Sequence, residues 1–92
     1  MPEAELILRS RNFFSDGVVE MVVWNVPLPV IPSTHRFKYR LAFVRDGIRV
    51  VGYDNERGKG DHKHIKGSEL SYRFVDIDTL IRDFLRDVEQ QA

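Results

Sequence analysis

The stretch Arg36-Phe37-Lys38-Tyr39-Arg40-Leu41-Ala42-Phe43-Val44-Arg45-Asp46-Gly47-Ile48-Arg49-Val50 decides the fold. Phe37, Tyr39, Leu41 and Phe43 alternate with Arg36, Lys38, Arg40 and Ala42. That period of two gives a strand with one apolar and one basic face. Asp46-Gly47 then reads as a two-residue hairpin turn, because both central positions of a type I′ turn need positive φ. Counting back from that loop sets Arg45 opposite Ile48, Phe43 opposite Val50 and Leu41 opposite Gly52. The same count sets Arg40 across from Tyr53 and Lys38 across from Asn55. Lys38, Arg40, Arg49 and Tyr53 are therefore expected on one side of the sheet.

Working outward, an earlier hairpin is expected from Ala4 to Val26, turning at Asp16-Gly17. Its second strand, Val18 to Val26, is rich in Val and reads as central. Pro27, Pro29 and Pro32 forbid a central strand between them and mark a connection. Residues 56–68 are polar and read as a loop with glycines at 58, 60 and 67. Leu70, Tyr72 and Phe74 alternate as a fifth strand. Asp76 is placed to cap a helix in which Ile77, Leu80, Ile81, Phe84, Leu85 and Val88 form one apolar stripe. Asp78, Arg82, Asp83, Arg86 and Asp87 fill its other face, and Gln90-Gln91-Ala92 is expected to fray. The expected fold is α+β: an antiparallel sheet of about five strands, from two hairpins plus a fifth strand, with one C-terminal amphipathic helix packed on it.

Ninety-two residues set the size of one domain with a thin core. No apolar run reaches the roughly 18 residues that suggest a membrane span. The start, Met-Pro-Glu-Ala-Glu, lacks the pattern of a signal peptide. The chain has no cysteine, which excludes disulfides, thiolate metal sites and a thiol nucleophile and fits a cytoplasmic setting. Net charge is zero but unevenly spread. Residues 35–73 carry ten Lys/Arg against five acids, whereas residues 74–92 carry two Arg against five acids. A basic middle favours phosphate backbones, and the acidic helix is expected to point away from them.

Chemistry concentrates in Gly52-Tyr53-Asp54-Asn55-Glu56-Arg57-Gly58-Lys59-Gly60-Asp61-His62-Lys63-His64. Three readings are open. The first is metal-independent general acid–base cleavage of RNA. His62 and His64 titrate near neutrality and suit proton transfer. Lys59 or Lys63 would bind the phosphate with help from Arg40, and Tyr53 would orient the sugar or stack on a base. Lys38, Arg40, Arg49 and Lys63 are the nucleic-acid-binding candidates, with no cofactor required. The second is a metal site: in an extended segment His62 and His64 point the same way, with Cα atoms about 6.6 Å apart, and Asp54 and Asp61 would complete the set. Lys59 and Lys63 would crowd such a cation. The third is a nucleic-acid-binding loop without catalysis. Asp54, Asn55 and Asp61 read as supporting residues, Asp54 as a buried carboxylate bonding loop amides. His35, after Pro32-Ser33-Thr34, reads as exposed and inert, and Trp24 as core.

This same stretch resembles the TumE family of small bacterial and archaeal toxins. The likeness rests on Tyr53-Asp54-Asn55 and Gly58-Lys59-Gly60-Asp61-His62-Lys63-His64, then Tyr72-Arg73-Phe74 and the helix from Ile77 to Val88. Lys63 stands where Arg is commoner, which keeps the charge and loses bidentate phosphate geometry. The resemblance covers about the last 60 residues; the first 30 agree in kind, with Trp24-Asn25-Val26-Pro27 as a shared feature. It implies a toxin paired with an antitoxin, often a helix-turn-helix DNA-binding protein. The ribonuclease reading comes instead from the residue chemistry and from what small toxins commonly do. A non-enzymatic binding or regulatory module is the alternative. Leu28, Val30 and Ile31 between prolines offer apolar surface to a partner, and Leu6, Ile7 and Leu8 on an edge strand offer pairing with a second copy.

Overall fold

The computed structural model describes residues 3–92. Six strands run in chain order through one antiparallel sheet: β1 (Glu5–Phe14), β2 (Gly17–Asn25), β3 (Phe37–Arg45), β4 (Ile48–Glu56), β5 (Gly60–Ile65) and β6 (Ser68–Ser71). One helix, α1 (Ile77–Gln91), follows. The α+β expectation holds with one strand more than expected. Residues 56–68, expected as a loop, contain the strand β5 over Gly60–Ile65. Its alternation is hidden because charged and His side chains occupy both faces. The fifth strand expected at Leu70–Phe74 is the shorter β6.

The helix forms for the reasons its sequence advertises. Asp76 takes an extended conformation and its carboxylate accepts the Thr79 N–H at 2.7 Å, satisfying a first-turn donor. Leu80, Phe84 and Val88 are buried on the sheet against Val19, Val23, Tyr39, Leu41, Phe43, Val51 and Tyr53. The helix runs on to Gln91, so the expected fraying at Gln90 and Gln91 is not seen. Asp87, expected on the polar face, is buried; it accepts hydrogen bonds from the Tyr53 hydroxyl and, at 3.1 Å, from Lys63 Nζ.

Two registers differ from the count. In the first hairpin Phe14 pairs with Gly17, so the loop is Ser15-Asp16 and Ser15 carries the positive φ, 56°. Gly17 is needed for space instead: a Cβ there would stand 2.5 Å from Phe43 Cε1 and 2.7 Å from the Val44 carbonyl oxygen. In the second hairpin Arg45 does face Ile48, but a bulge lies between Phe43 and Val44. The extra residue is Val50, and beyond it every partner moves by one. Phe43 pairs with Val51, Leu41 with Tyr53 and Arg40 with Asp54. Tyr53 therefore turns to the helix side and Asp54 to the basic side, the reverse of the expected placement.

Candidate functional site

Side chains of directly paired residues share a sheet face. Asp54 pairs with Arg40 on one side and His62 on the other; Gly52 pairs with Ala42 and His64. The face away from α1 thus carries Lys38, Arg40 and Arg49, then Asp54, His62 and His64, with Glu69 beside His64 on β6. Gly52 leaves room there that Arg49 fills, since a Cβ would meet Arg49 Cδ at 2.8 Å.

His62 and Asp54 are 3% and 7% exposed, while His64 is half-buried. His62 Nδ1 lies 3.0 Å from the Gly60 carbonyl oxygen. A carbonyl only accepts, so Nδ1 carries the proton and Nε2 is turned to Asp54 Oδ1. Glu69 Oε1 and Glu56 Oε1 stand 3.8 and 4.0 Å from the same nitrogen. The rings of His62 and His64 meet edge to face, centroids 5.1 Å apart. Asp54, His62 and His64 each bring one ligand-type atom within 4.8 Å of the others. Arg49 lies 3.9 Å from Asp54. Lys59, exposed at this edge, donates to Glu69 at 2.8 Å; that bond raises the Lys59 pKa and lowers that of Glu69. Of the two histidines expected to shuttle protons, His64 is the partly exposed one, whereas both nitrogens of His62 face inward.

Tyr53 and Lys63 are paired on β4 and β5 and face the helix. Burial, and then the bond to Asp87, push the Tyr53 phenol far above its ordinary range. Lys63 sits on the Tyr53 ring and bonds Asp87. Neither can reach a ligand on the basic face. They join sheet to helix.

A second polar cluster lies on the helix side and was not legible as one. The Asp61 carboxylate accepts from Ser33 Oγ at 2.5 Å, Tyr39 OH at 2.7 Å and His35 Nε2 at 2.7 Å. His35 Nδ1 accepts the Phe37 N–H at 3.2 Å, which assigns the proton to Nε2. The His35 ring also stacks on Phe74, centroids 3.8 Å apart. His35 is therefore neither exposed nor inert; it anchors the connection between β2 and β3. Burial alone would raise the Asp61 carboxyl, but hydrogen bonds from Ser33, Tyr39 and His35 outweigh it and hold its pKa below the usual value. Asn55, fully buried, continues the β3–β4 ladder with its side chain: Oδ1 accepts the Tyr39 N–H at 3.0 Å and Nδ2 donates to the Phe37 carbonyl at 2.7 Å. Ser33 and His35 were missed because 28 and 26 residues separate them from Asp61. The one signal available was a polar trio, Ser33-Thr34-His35, closing an apolar proline segment.

The sequence matches the family model described as Toxin TumE over residues 2–92. The chain belongs to the TumE toxin family. The likeness carried by residues 53–64 thus extends to both ends of the chain, the first hairpin included. Neither the curated proteins nor the solved structures compared with it yield a match. As a member of a toxin family, this TumE chain implies a cognate antitoxin. No helix among the described residues is long and apolar enough to cross a membrane.

Proposed function

We propose that this toxin cuts RNA at the Asp54–His62–His64 corner, with the phosphate backbone led in along Lys38, Arg40 and Arg49. One observation carries the reading: the buried His–carboxylate corner and the basic strand share the sheet face that the helix leaves open. Cleavage asks for a route for the backbone, positive charge at the phosphate and a proton acceptor at the attacking oxygen. The strand cations supply the first two, and Lys59 adds charge at the exposed edge. The corner supplies the third through His64, its partly exposed member. The acidic helix lies on the opposite face, so its charge does not oppose the approach of RNA. Setting and partners follow the same reading: a cytoplasmic toxin held by a helix-turn-helix antitoxin. Leu28 and Ile31, 76% and 64% exposed, give such a partner apolar surface to cover, and the half-exposed edge residues Leu6 and Ile7 suit a second copy.

The test is expression in a bacterial host of the unaltered chain, His64→Ala and the His62→Ala/His64→Ala double variant, each checked for folding by circular dichroism. Growth arrest with degraded total RNA, abolished in the folded variants, is the expected result. Arrest with intact RNA would reject cleavage and favour a toxin that acts by binding.

A further inference from the structure

A neutral imidazole has one N–H and one lone pair. His62 spends its N–H on the Gly60 carbonyl, so its Nε2 presents a lone pair. What it meets is another, on Asp54 Oδ1. The two atoms are buried and approach without the alignment a hydrogen bond requires, so each lacks a hydrogen-bond partner. Two electron pairs facing one another away from water are unfavourable unless positive charge sits between them, either a second proton that makes His62 an imidazolium paired with Asp54 or a metal ion in that proton's place. His64 brings a third donor atom within 4.8 Å, and two more carboxylates, Glu69 and Glu56, stand within 4.0 Å of His62 Nε2. Three carboxylates therefore converge here against two side-chain cations, Arg49 on Asp54 and Lys59 on Glu69.

We propose that Asp54, His62 and His64 bind one divalent transition-metal cation. Two imidazoles and a carboxylate suit zinc or nickel better than calcium, magnesium or manganese, which favour oxygen ligands. The Gly60 carbonyl fixes the His62 tautomer and aims Nε2, the outer support that metal-binding histidines usually have. Around a tetrahedral ion with bonds of about 2.1 Å, donor atoms stand about 3.4 Å apart. Asp54 and His62 are closer than that, so the ion enters as their side chains rotate apart and His64 closes on it. The donors come from neighbouring strands, so the backbone need not move. Three protein ligands leave a position on the solvent side for a water or a phosphate oxygen. The inference rests on the RNA reading at the same corner and revises its proton acceptor: with its lone pair on the cation His64 is a ligand, and a water held at the open position would take the proton; cation binding itself is measured without RNA.

Tag-free protein, dialysed against EDTA and then freed of it, is titrated with Zn²⁺ and separately with Ni²⁺ by calorimetry, with melting curves alongside. One equivalent bound per chain and a raised melting temperature are expected. Asp54→Asn and His64→Ala, both folded, should each weaken uptake by at least about tenfold. Failure of both ions to bind stoichiometrically, or equal uptake by both variants, overturns the site. Assaying RNA cleavage on the same samples separates the two claims. Stoichiometric uptake with intact RNA keeps the cation site and rejects the ribonuclease. Cleavage by protein that takes up no cation rejects the site and keeps the ribonuclease.

Discussion

Asp61 is the residue whose surroundings dictate the most. It receives three hydrogen bonds from residues on two other segments, and its pKa is lowered. Below the ordinary Asp range the unfolded chain takes up a proton that the folded chain refuses. Stability from Asp61 is thus fully present above that range and is lost as pH falls through the folded value. Urea unfolding at pH 7 and pH 3 should show a steeper loss for the unaltered protein than for Asp61→Asn. Equal losses would mean that Asp61 is not held ionised. Tyr39 has the opposite sign: burial first, and then its bond to Asp61, raise its pKa, so its contribution is lost above about pH 10. Asn55→Ala strips partners from one buried N–H and one C=O, each costing about 1–3 kcal/mol. A loss of about 2–6 kcal/mol in chemical denaturation is expected, and a loss below about 1 kcal/mol would show that water replaces the amide.

At the scale of elements, local signals were readable where they act locally. Asp46-Gly47 turns the chain where expected, and Asp76 caps the helix that its apolar stripe announces. Asp76→Ala should cost about 1 kcal/mol and Phe84→Ala about 3–5 kcal/mol, both measured by denaturant midpoint. Gly17→Ala should cost about 1–3 kcal/mol, because its methyl group would collide with Phe43 and the Val44 carbonyl. What could not be read is the bulge. Alternation counts residues and assumes one partner each; Val50 breaks that count without changing composition. The cost was the exchange of Tyr53 and Asp54 between faces. The site itself was half legible: the shared face of His62 and His64 follows from their spacing, whereas the facing of Asp54 follows only from the bulge. The Ser33–His35–Asp61 cluster depends on folding the β2–β3 connection back over the β4–β5 hairpin, which Gly58 N–H secures by donating to the Ile31 carbonyl at 2.8 Å. No local pattern encodes that return.

Across the whole molecule, one sheet divides two tasks. Its helix side holds the apolar core and the Tyr53–Asp87–Lys63 and Asp61 clusters, all of them internally bonded. Its open side gathers cations along β3 and β4 and ends at the Asp54–His62–His64 corner. Net zero charge thus conceals a basic face set against an acidic helix. If that face carries RNA, Arg40→Gln should weaken binding of a single-stranded RNA and make the salt dependence shallower by about 0.7 in log–log slope. An unchanged slope would remove Arg40 from the path. Cleavage at this corner is tested by incubating a labelled RNA with purified toxin and with folded His64→Ala. Fragments are expected from the first and intact RNA from the second; equal cleavage by both excludes His64 from the chemistry.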